Sequence, residues 1–150
     1  MGAAKELLRR NEGVRARAYV DRAGVPTIGV GFNLTRWDAR KRLAAVGARH
    51  GETLTGEQIN QLLDLDVRDA VADLRKLFPG FDAMPIAARL VLIDLRFNCG
   101  PGGIRTFTNT LDDFRGGKWS DAAQRLAASK WSRQVGDRAT RSVEMLRSVS

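Results

Sequence analysis

Hydrophobic and polar positions at the start of the chain predict a short helix followed by a β-hairpin. Leu7 and Leu8 share one face of a helix over residues 5–10, and Gly13 is placed to end it. The spacing then changes to a period of two through residues 17–32, interrupted by the turn sequence DRAG. Such an alternation around a turn is typical of a β-hairpin.

Two further helices are predicted in the middle of the chain. Asp38 can cap a short helix over residues 39–46, which Gly47 ends. The sequence TGEQ, starting at Thr55, is a capping box, and the apolar residues after it recur with helical spacing as far as Phe78. A helix of this length in a small protein often links two lobes.

The second half of the chain is predicted to be helical. The run PIAARLVLIDLRFNCG is apolar almost all round, which indicates a buried central helix ending in a sharp loop at GPGG. Three shorter helices follow, over residues 109–115, 120–130 and 137–147. Ser120 and Asp137 are the expected caps of the last two.

Together these elements predict one α+β domain over residues 1–150. We expect a small hairpin lobe over about residues 12–55 and a linking helix over about 56–78. A larger helical lobe would cover about residues 79–150 and include the N-terminal helix. A chain of this length is long enough to bury a core without disulfides.

Composition narrows the class of protein. Hydrophobic residues make up 43% and charged residues 28%, which is typical of a globular chain. No apolar run approaches the ~20 residues of a membrane span, so we expect no stable membrane insertion. The N-terminal segment lacks the apolar stretch of a secretory signal peptide, so none is expected.

The net charge of +8, with 20 Arg and five Lys, predicts an anionic partner. Nucleic acid, anionic lipid and a bacterial wall polymer all fit this charge. A basic helical domain that binds nucleic acid is therefore the alternative function. The basic residues are dispersed and no recognition motif is present, so we expect no nucleic-acid partner.

Single copies of cysteine and histidine exclude several site types. Cys99 cannot form an internal disulfide, and its apolar neighbours favour a small buried side chain over a nucleophile. His50 lies in a polar stretch with no catalytic partner nearby. A zinc site is not expected from one Cys and one His.

Three polar residues around the hairpin suit the hydrolysis of a glycosidic bond. This reaction needs a carboxylic acid that protonates the leaving oxygen, and a second group on the other face of the sugar. Glu12 could supply the acid, while Asp21 in the turn and Thr27 on the return strand could hold a water. The structural alternative is that Glu12 forms a surface ion pair, that Asp21 is an ordinary turn residue and that Thr27 is an ordinary strand residue.

A family resemblance favours the catalytic interpretation. The order Glu-Gly, then Asp eight residues after the Gly, then Thr-Ile-Gly-x-Gly resembles the phage-type lysozymes, glycoside hydrolase family 24. The C-terminal motifs FTN, WSDAA, SKW and RATR are similar to that family as well. The resemblance implies a lysozyme-like fold and a muramidase that cleaves the β-1,4 bond between N-acetylmuramic acid and N-acetylglucosamine of peptidoglycan, as a monomer without cofactors.

The resemblance also assigns roles to residues. Glu12 matches the general acid, and Asp21 and Thr27 match the carboxylate and hydroxyl that orient the attacking water. Arg138 matches an arginine that reaches the acid across the lobes.

Other matched positions line the expected substrate cleft. Phe97 and Asn98 match cleft-lining positions where the family often has Phe-Gln, and the shorter Asn98 makes a direct sugar contact less expected. Gly29 and Gly31 remove side chains from the face of Thr27 and would leave room for a flat sugar ring. Phe32 stands where the family often has an ion-pairing His, a change expected to affect packing more than chemistry. The short segment after the hairpin predicts a third strand that is very short or absent.

The three tryptophans have different expected roles. Trp119 and Trp131 lie at helix ends and are expected to pack the helical lobe, whereas Trp37 fits packing and sugar stacking about equally. The resemblance implies synthesis in the cytoplasm of a bacterial host and action on the wall in the periplasm. It leaves open a free endolysin, a tail-associated lysozyme or a secreted effector. A binding module that has lost activity is disfavoured by the intact catalytic set.

Overall fold

The computed structural model describes residues 2–150, and its first element is helix α1 (Gly2–Glu12). The predicted helix is confirmed and is longer at both ends. Gly13 ends this helix. Its backbone N–H donates to the Arg9 carbonyl at 2.9 Å, and Gly13 has a φ of 76°, which residues other than glycine rarely adopt.

A three-stranded antiparallel sheet follows, in the order β1-β2-β3. Its strands are β1 (Arg15–Val20), β2 (Pro26–Gly29) and β3 (Phe32–Asn33). The two-residue β3 confirms the expectation of a very short third strand. The period-two pattern of β1 does not mark a buried face, because Ala18 is exposed and Val20 is 66% exposed. β1 is an edge strand, and most of its residues are exposed.

Helices α2 (Ala39–Ala45) and α3 (Gly56–Leu77) complete the order of elements up to Leu77. The capping box of α3 is confirmed in both directions. The Thr55 backbone N–H donates to Gln58 Oε1 at 3.0 Å, and the Gln58 backbone N–H donates to Thr55 Oγ1 at 3.1 Å.

Asp38 stands at the N-cap of α2, but the predicted side-chain cap is wrong. Its carboxylate makes no cap hydrogen bond and instead accepts from two arginines. Arg36 binds it through two nitrogens at 2.5 and 3.0 Å, and Arg42 Nε lies 3.2 Å away. A guanidinium donor carries a net positive charge, which a backbone N–H does not, so the carboxylate is bound by the two arginines.

The chain divides by its internal contacts into two units, one ending at Arg68 and the other Asp69–Ser150. The division falls within α3 and places α1 with the sheet. The predicted lobe bounds, which grouped the N-terminal helix with the helical lobe, stay a prediction.

The second unit is helical. After a short 3₁₀ turn at Phe81–Ala83 come α4 (Ile86–Ile104), α5 (Thr108–Arg115), α6 (Trp119–Ala127), α7 (Lys130–Val135) and α8 (Asp137–Arg147). The last helix, α8, packs against α4, α6 and α7.

Three predictions for the second unit were wrong in detail. The loop expected at GPGG is a kink: Gly100 is non-helical, with φ 77° and ψ 172°, and helical structure resumes to Ile104. The helix expected over residues 120–130 is divided between α6 and α7. Ser120 lies inside α6 and Asp137 inside α8, so neither is a cap.

The α7 start shows where a serine cap does form. Ser129 precedes α7, and its hydroxyl accepts from the Ser132 backbone N–H at 3.2 Å.

Each unit has its own set of buried apolar side chains. The largest that are fully buried in the first unit are Leu8, Ile28, Phe32, Leu43 and Leu62. The largest that are fully buried in the second unit are Leu74, Phe78, Leu92, Leu95, Ile104, Phe114 and Leu126. Across residues 2–150, no helix combines the length and apolar character that crossing a membrane requires.

Candidate active site

Glu12 is the last residue of α1, and its half-buried side chain lies against Gly31. A Cβ at Gly31 would stand 2.9 Å from Glu12 Oε2, closer than side-chain atoms normally approach, and φ at Gly31 is 64°. Gly31 therefore leaves room for the acid, in addition to any room it leaves for a sugar. Gly29 does not share this role, because a Cβ there would face Ile59 and Leu54.

Asp21 begins the turn between β1 and β2 and is held by backbone donors. Its Oδ1 accepts from the N–H groups of Ala23 and Val25, each at 2.9 Å. These bonds are those of an Asx turn, as the turn prediction implies. The carboxylate is fixed through one oxygen, and no other hydrogen bond or ion pair to its second oxygen is found within residues 2–150.

Thr27 lies on β2 and is only 3% exposed. Its hydroxyl donates to the Val25 carbonyl at 2.8 Å. Since the hydroxyl proton is used in this bond, Oγ1 keeps its capacity to accept one from a water. The Val25 backbone thus connects the two residues: its N–H binds Asp21 and its carbonyl binds Thr27.

Tyr19 is a neighbour of this set that sequence reasoning did not select. It lies directly opposite Thr27 in the β1–β2 register, and the Arg15 guanidinium stands over its ring at 5.1 Å from the centroid. Burial raises the pKa of the Tyr19 phenol; Glu12 and Asp21 raise it further and Arg15 lowers it. Counting outward from the DRAG turn would have paired Tyr19 with Pro26, because Val25 also belongs to the turn, so the sequence did not indicate this partner.

Phe32 is buried at 1% exposure, and a cation covers its ring. The Arg36 guanidinium stands 4.9 Å from the ring centroid and also binds Asp38 and Asp66, the latter at 2.9 Å. A phenylalanine cannot form the ion pair expected of a histidine at this position. Instead, the positive charge beside this position belongs to Arg36, which lies four residues further along the chain.

Arg138 lies in the second unit, where it binds Asp94. Three bonds of 2.7–3.2 Å run from the guanidinium to the carboxylate, and the residues are 8% and 1% exposed. The sequence marked Asp94 only as a polar residue in an apolar helix. A buried carboxylate needs a cationic partner, and that requirement was the available signal. The expected contact of Arg138 with Glu12 stays a prediction.

Asn98 and Phe97 lie near the end of the straight part of α4. Asn98 is exposed, but its Oδ1 accepts from the Trp131 indole N–H at 2.9 Å. This amide oxygen therefore has a structural partner, in line with the reduced expectation of a sugar contact. Phe97 is half-buried. The cleft-lining roles of both residues stay predictions.

Trp119 and Trp131 pack within the helical unit, as predicted, whereas Trp37 does not. Trp131 is 5% exposed and meets the Phe107 ring edge-on at 6.5 Å. Trp119 is half-buried and contacts Phe114 in the same way at 5.8 Å. Trp37 is 94% exposed, so packing in the core does not explain it.

Cys99 has the character of a structural thiol. Burial raises its pKa to about 11, with Arg138 opposing and Asp94 adding to the effect. A thiol of this kind is almost wholly protonated near neutral pH and is a poor nucleophile.

Two grooves of the second unit contain none of the predicted site residues. One, of about 490 Å³, is lined by residues 106–110 with Arg125 and Ala128. The other, of about 350 Å³, lies around Phe78, Met84 and Trp119.

Comparison with known proteins identifies the family. The family model described as phage lysozyme matches residues 9–147. The chain belongs to the phage lysozyme family. The predicted α+β lysozyme-like fold and lysozyme-type glycosidase class are thereby confirmed.

The chain is similar in sequence to a phage spike protein and to two probable lysozymes. The pre-baseplate central spike protein Gp5 of Enterobacteria phage T4 is 29% identical over 91% of this chain, which corresponds to 26% of that protein. Two probable T4-type lysozymes of Dictyostelium discoideum, numbered 1 and 2, are 22% and 21% identical over 97% of this chain and 94% of their own length. The chain thus spans about a quarter of the phage spike protein and nearly all of each probable T4-type lysozyme.

Proposed function

We propose that this chain hydrolyses the β-1,4 bond between N-acetylmuramic acid and N-acetylglucosamine in peptidoglycan. Glu12 is the general acid, and Asp21 and Thr27 together hold the attacking water. The observation that carries this proposal is the bridge at Val25, whose N–H binds Asp21 and whose carbonyl binds Thr27. One peptide segment therefore sets the orientation of both water-binding groups.

The hydrogen-bond inventory indicates how the water is oriented. Asp21 offers its second carboxylate oxygen, and Thr27 offers an oxygen that can only accept, because its proton is directed to Val25. A water that donates both protons to these two acceptors keeps a lone pair for the anomeric carbon. As the water attacks, Asp21 takes up its proton.

Glu12 acts on the opposite face of the sugar. It delivers its proton to the glycosidic oxygen as the bond breaks, so the leaving sugar departs as a neutral alcohol. Gly31 supports this step by giving the carboxyl group space that any side chain would fill. We propose that Arg138 orients Glu12 and that Phe97 and Asn98 contact the glycan, as the resemblance implies.

The experiment that tests this function compares Glu12→Gln with the wild type on purified sacculi. Gln keeps the size of Glu and some of its hydrogen bonds but cannot deliver a proton. Because general acid catalysis typically contributes ~10²–10⁴-fold, we expect the release of reducing ends to fall by that factor while the melting temperature is kept. Glu6→Gln is the matched control, since Glu6 is exposed on the same helix.

A binding module without activity gives the opposite result. It would bind sacculi without releasing reducing ends, and Glu12→Gln would match the wild type. Action on the wall in the periplasm is part of this proposal. Monomeric state and the absence of a nucleic-acid partner stay predictions.

A further inference from the structure

Arg15 is held by an aromatic ring and not by a carboxylate. Its guanidinium is placed over the Tyr19 ring, 5.1 Å from the centroid, and within residues 2–150 it has no hydrogen bond or ion pair to a carboxylate. Arg36, Arg96 and Arg138, in contrast, are each bound by an aspartate. The N–H donors of Arg15 therefore remain available to a ligand.

The stacked pair borders the candidate site. Tyr19 is the direct cross-strand partner of Thr27, and Arg15 is the cross-strand partner of Gly29 two residues further along β2. Tyr19 also lies within electrostatic range of both Glu12 and Asp21. A guanidinium resting on this ring is consequently beside the groups that act on the sugar.

The stack prepares Arg15 for binding. A guanidinium over an aromatic ring keeps its planar set of N–H donors, which matches the two oxygens of a carboxylate. Since the ring already restricts the side chain, less conformational entropy is lost when a ligand binds. A free surface arginine, such as the exposed Arg17 on the same strand, lacks this advantage.

We propose that Arg15, held on the Tyr19 ring, binds a carboxylate that peptidoglycan carries beside the scissile bond. The inference rests on the proposed function and deepens it by naming a second recognised group besides the glycan. Two parts of the wall carry this chemistry: the stem peptide, and the lactyl group of muramic acid when no peptide is attached. Arg15 and Tyr19 are thus determinants of substrate specificity.

The test compares Arg15→Ala with Arg17→Ala. Both variants remove one positive charge from exposed residues of β1, so they change long-range attraction to the wall equally. Arg15→Ala should raise KM on sacculi about five- to tenfold with kcat nearly kept, as for the loss of one exposed charge-assisted bond. Arg17→Ala should raise KM less than about twofold.

Variants of Tyr19 test the role of the ring. Tyr19→Phe keeps the ring and should raise KM less than Tyr19→Leu does. Tyr19→Leu removes the aromatic face and should raise KM about as much as Arg15→Ala, and the double variant should be no worse than either, since the two residues act as one unit. Arg15→Lys, which keeps the charge but loses the planar donor set, should recover only part of the affinity.

Substrate preparations identify the group that is bound. All sacculi are first freed of phosphate polymers, which are anionic as well. KM is then measured on untreated sacculi and on sacculi whose carboxylates have been converted to amides. The KM difference between Arg15→Ala and wild type should disappear on the amidated wall. Removing the stem peptide frees the lactyl carboxyl from its amide bond. On peptide-stripped glycan, a KM difference between Arg15→Ala and wild type shows that Arg15 binds the lactyl carboxylate, and the absence of a difference assigns the stem peptide.

Binding measurements separate this inference from the catalytic proposal. Sedimentation of labelled protein with sacculi, in a Glu12→Gln background, reports affinity even if the catalytic assignment fails. Arg15→Ala should weaken sedimentation about five- to tenfold there too. Equal losses for Arg15→Ala and Arg17→Ala, no loss for Arg15→Ala, or a loss that persists on amidated sacculi would overturn the inference.

Discussion

Arg138 and Asp94 form a buried ion pair with three hydrogen bonds, the shortest 2.7 Å between Nη2 and Oδ1. Asp94 comes from the apolar helix α4 and Arg138 from the first turn of α8. The pair therefore connects two packed helices of the second unit at a point where neither charge has much contact with water.

Breaking this pair should be costly. Asp94→Asn removes the carboxylate charge that binds the buried Arg138 guanidinium, and removing one partner of a buried ion pair typically costs about 3–5 kcal/mol. The free energy of unfolding in urea measures the loss, with Asp121→Asn, an exposed acid on α6, as the control. A loss below about 1 kcal/mol would show that the pair adds little to stability. The double variant Asp94→Leu with Arg138→Met should recover part of the unfolding free energy that Asp94→Asn loses.

Asp38 should make the stability of the protein depend on pH in acid. The hydrogen bond from Arg36 is the main reason that the pKa of Asp38 lies below 3.8 in the folded protein; burial opposes it, and the charge of Arg36 and the Arg42 bond add to it. A carboxyl group with a lowered folded-state pKa stabilises the fold above its unfolded pKa. That stability is lost as the pH falls through the folded value.

The difference in unfolding free energy between wild type and Asp38→Asn should therefore be constant near neutral pH and shrink below about pH 4. Urea unfolding at a series of pH values measures it. Asp112→Asn, at an exposed acid, is the control. A difference that stays constant down to pH 2 would show that the arginine contacts do not lower the pKa of Asp38.

Thr27 should contribute to the chemical step through its hydroxyl. Thr27→Val keeps the shape but removes the water acceptor and the bond to Val25, and one such hydrogen bond to a reacting group is worth roughly tenfold to a hundredfold in kcat. Thr27→Ser keeps the hydroxyl and should keep most of the activity. Steady-state rates on soluble glycan fragments measure both, and equal activity of the two variants would remove Thr27 from the water site.

The stereochemistry of the product should be inverted. A water held between Asp21 and Thr27 occupies the space beside the anomeric carbon, whereas a retaining enzyme brings its carboxylate close enough to bond that carbon. The β-linkage should therefore release the α-anomer first. Proton NMR of the new reducing end, recorded before mutarotation, decides this, and early β-anomer would make Asp21 or another residue the nucleophile.

Much of the local structure follows from the sequence because the interactions that create it span only a few residues. The capping box at Thr55 and Gln58, the stop at Gly13 and the turn at Asp21 each depend on groups within four positions of one another. The local capping rule was wrong at Asp38, because Arg36 and Arg42, only two and four residues away, bind the carboxylate that the rule assigns to the helix start.

The family and the candidate catalytic residues were also evident from the sequence, because their order and spacing are one-dimensional properties. What the tertiary structure decided is which partners these and other side chains meet. Asp94 and Arg138 are 44 positions apart, and no periodicity pairs them. The place of Glu12 against Gly31 depends on how a helix end and a strand turn approach each other. Such contacts depend on the packing of whole elements, which pattern and propensity alone do not specify.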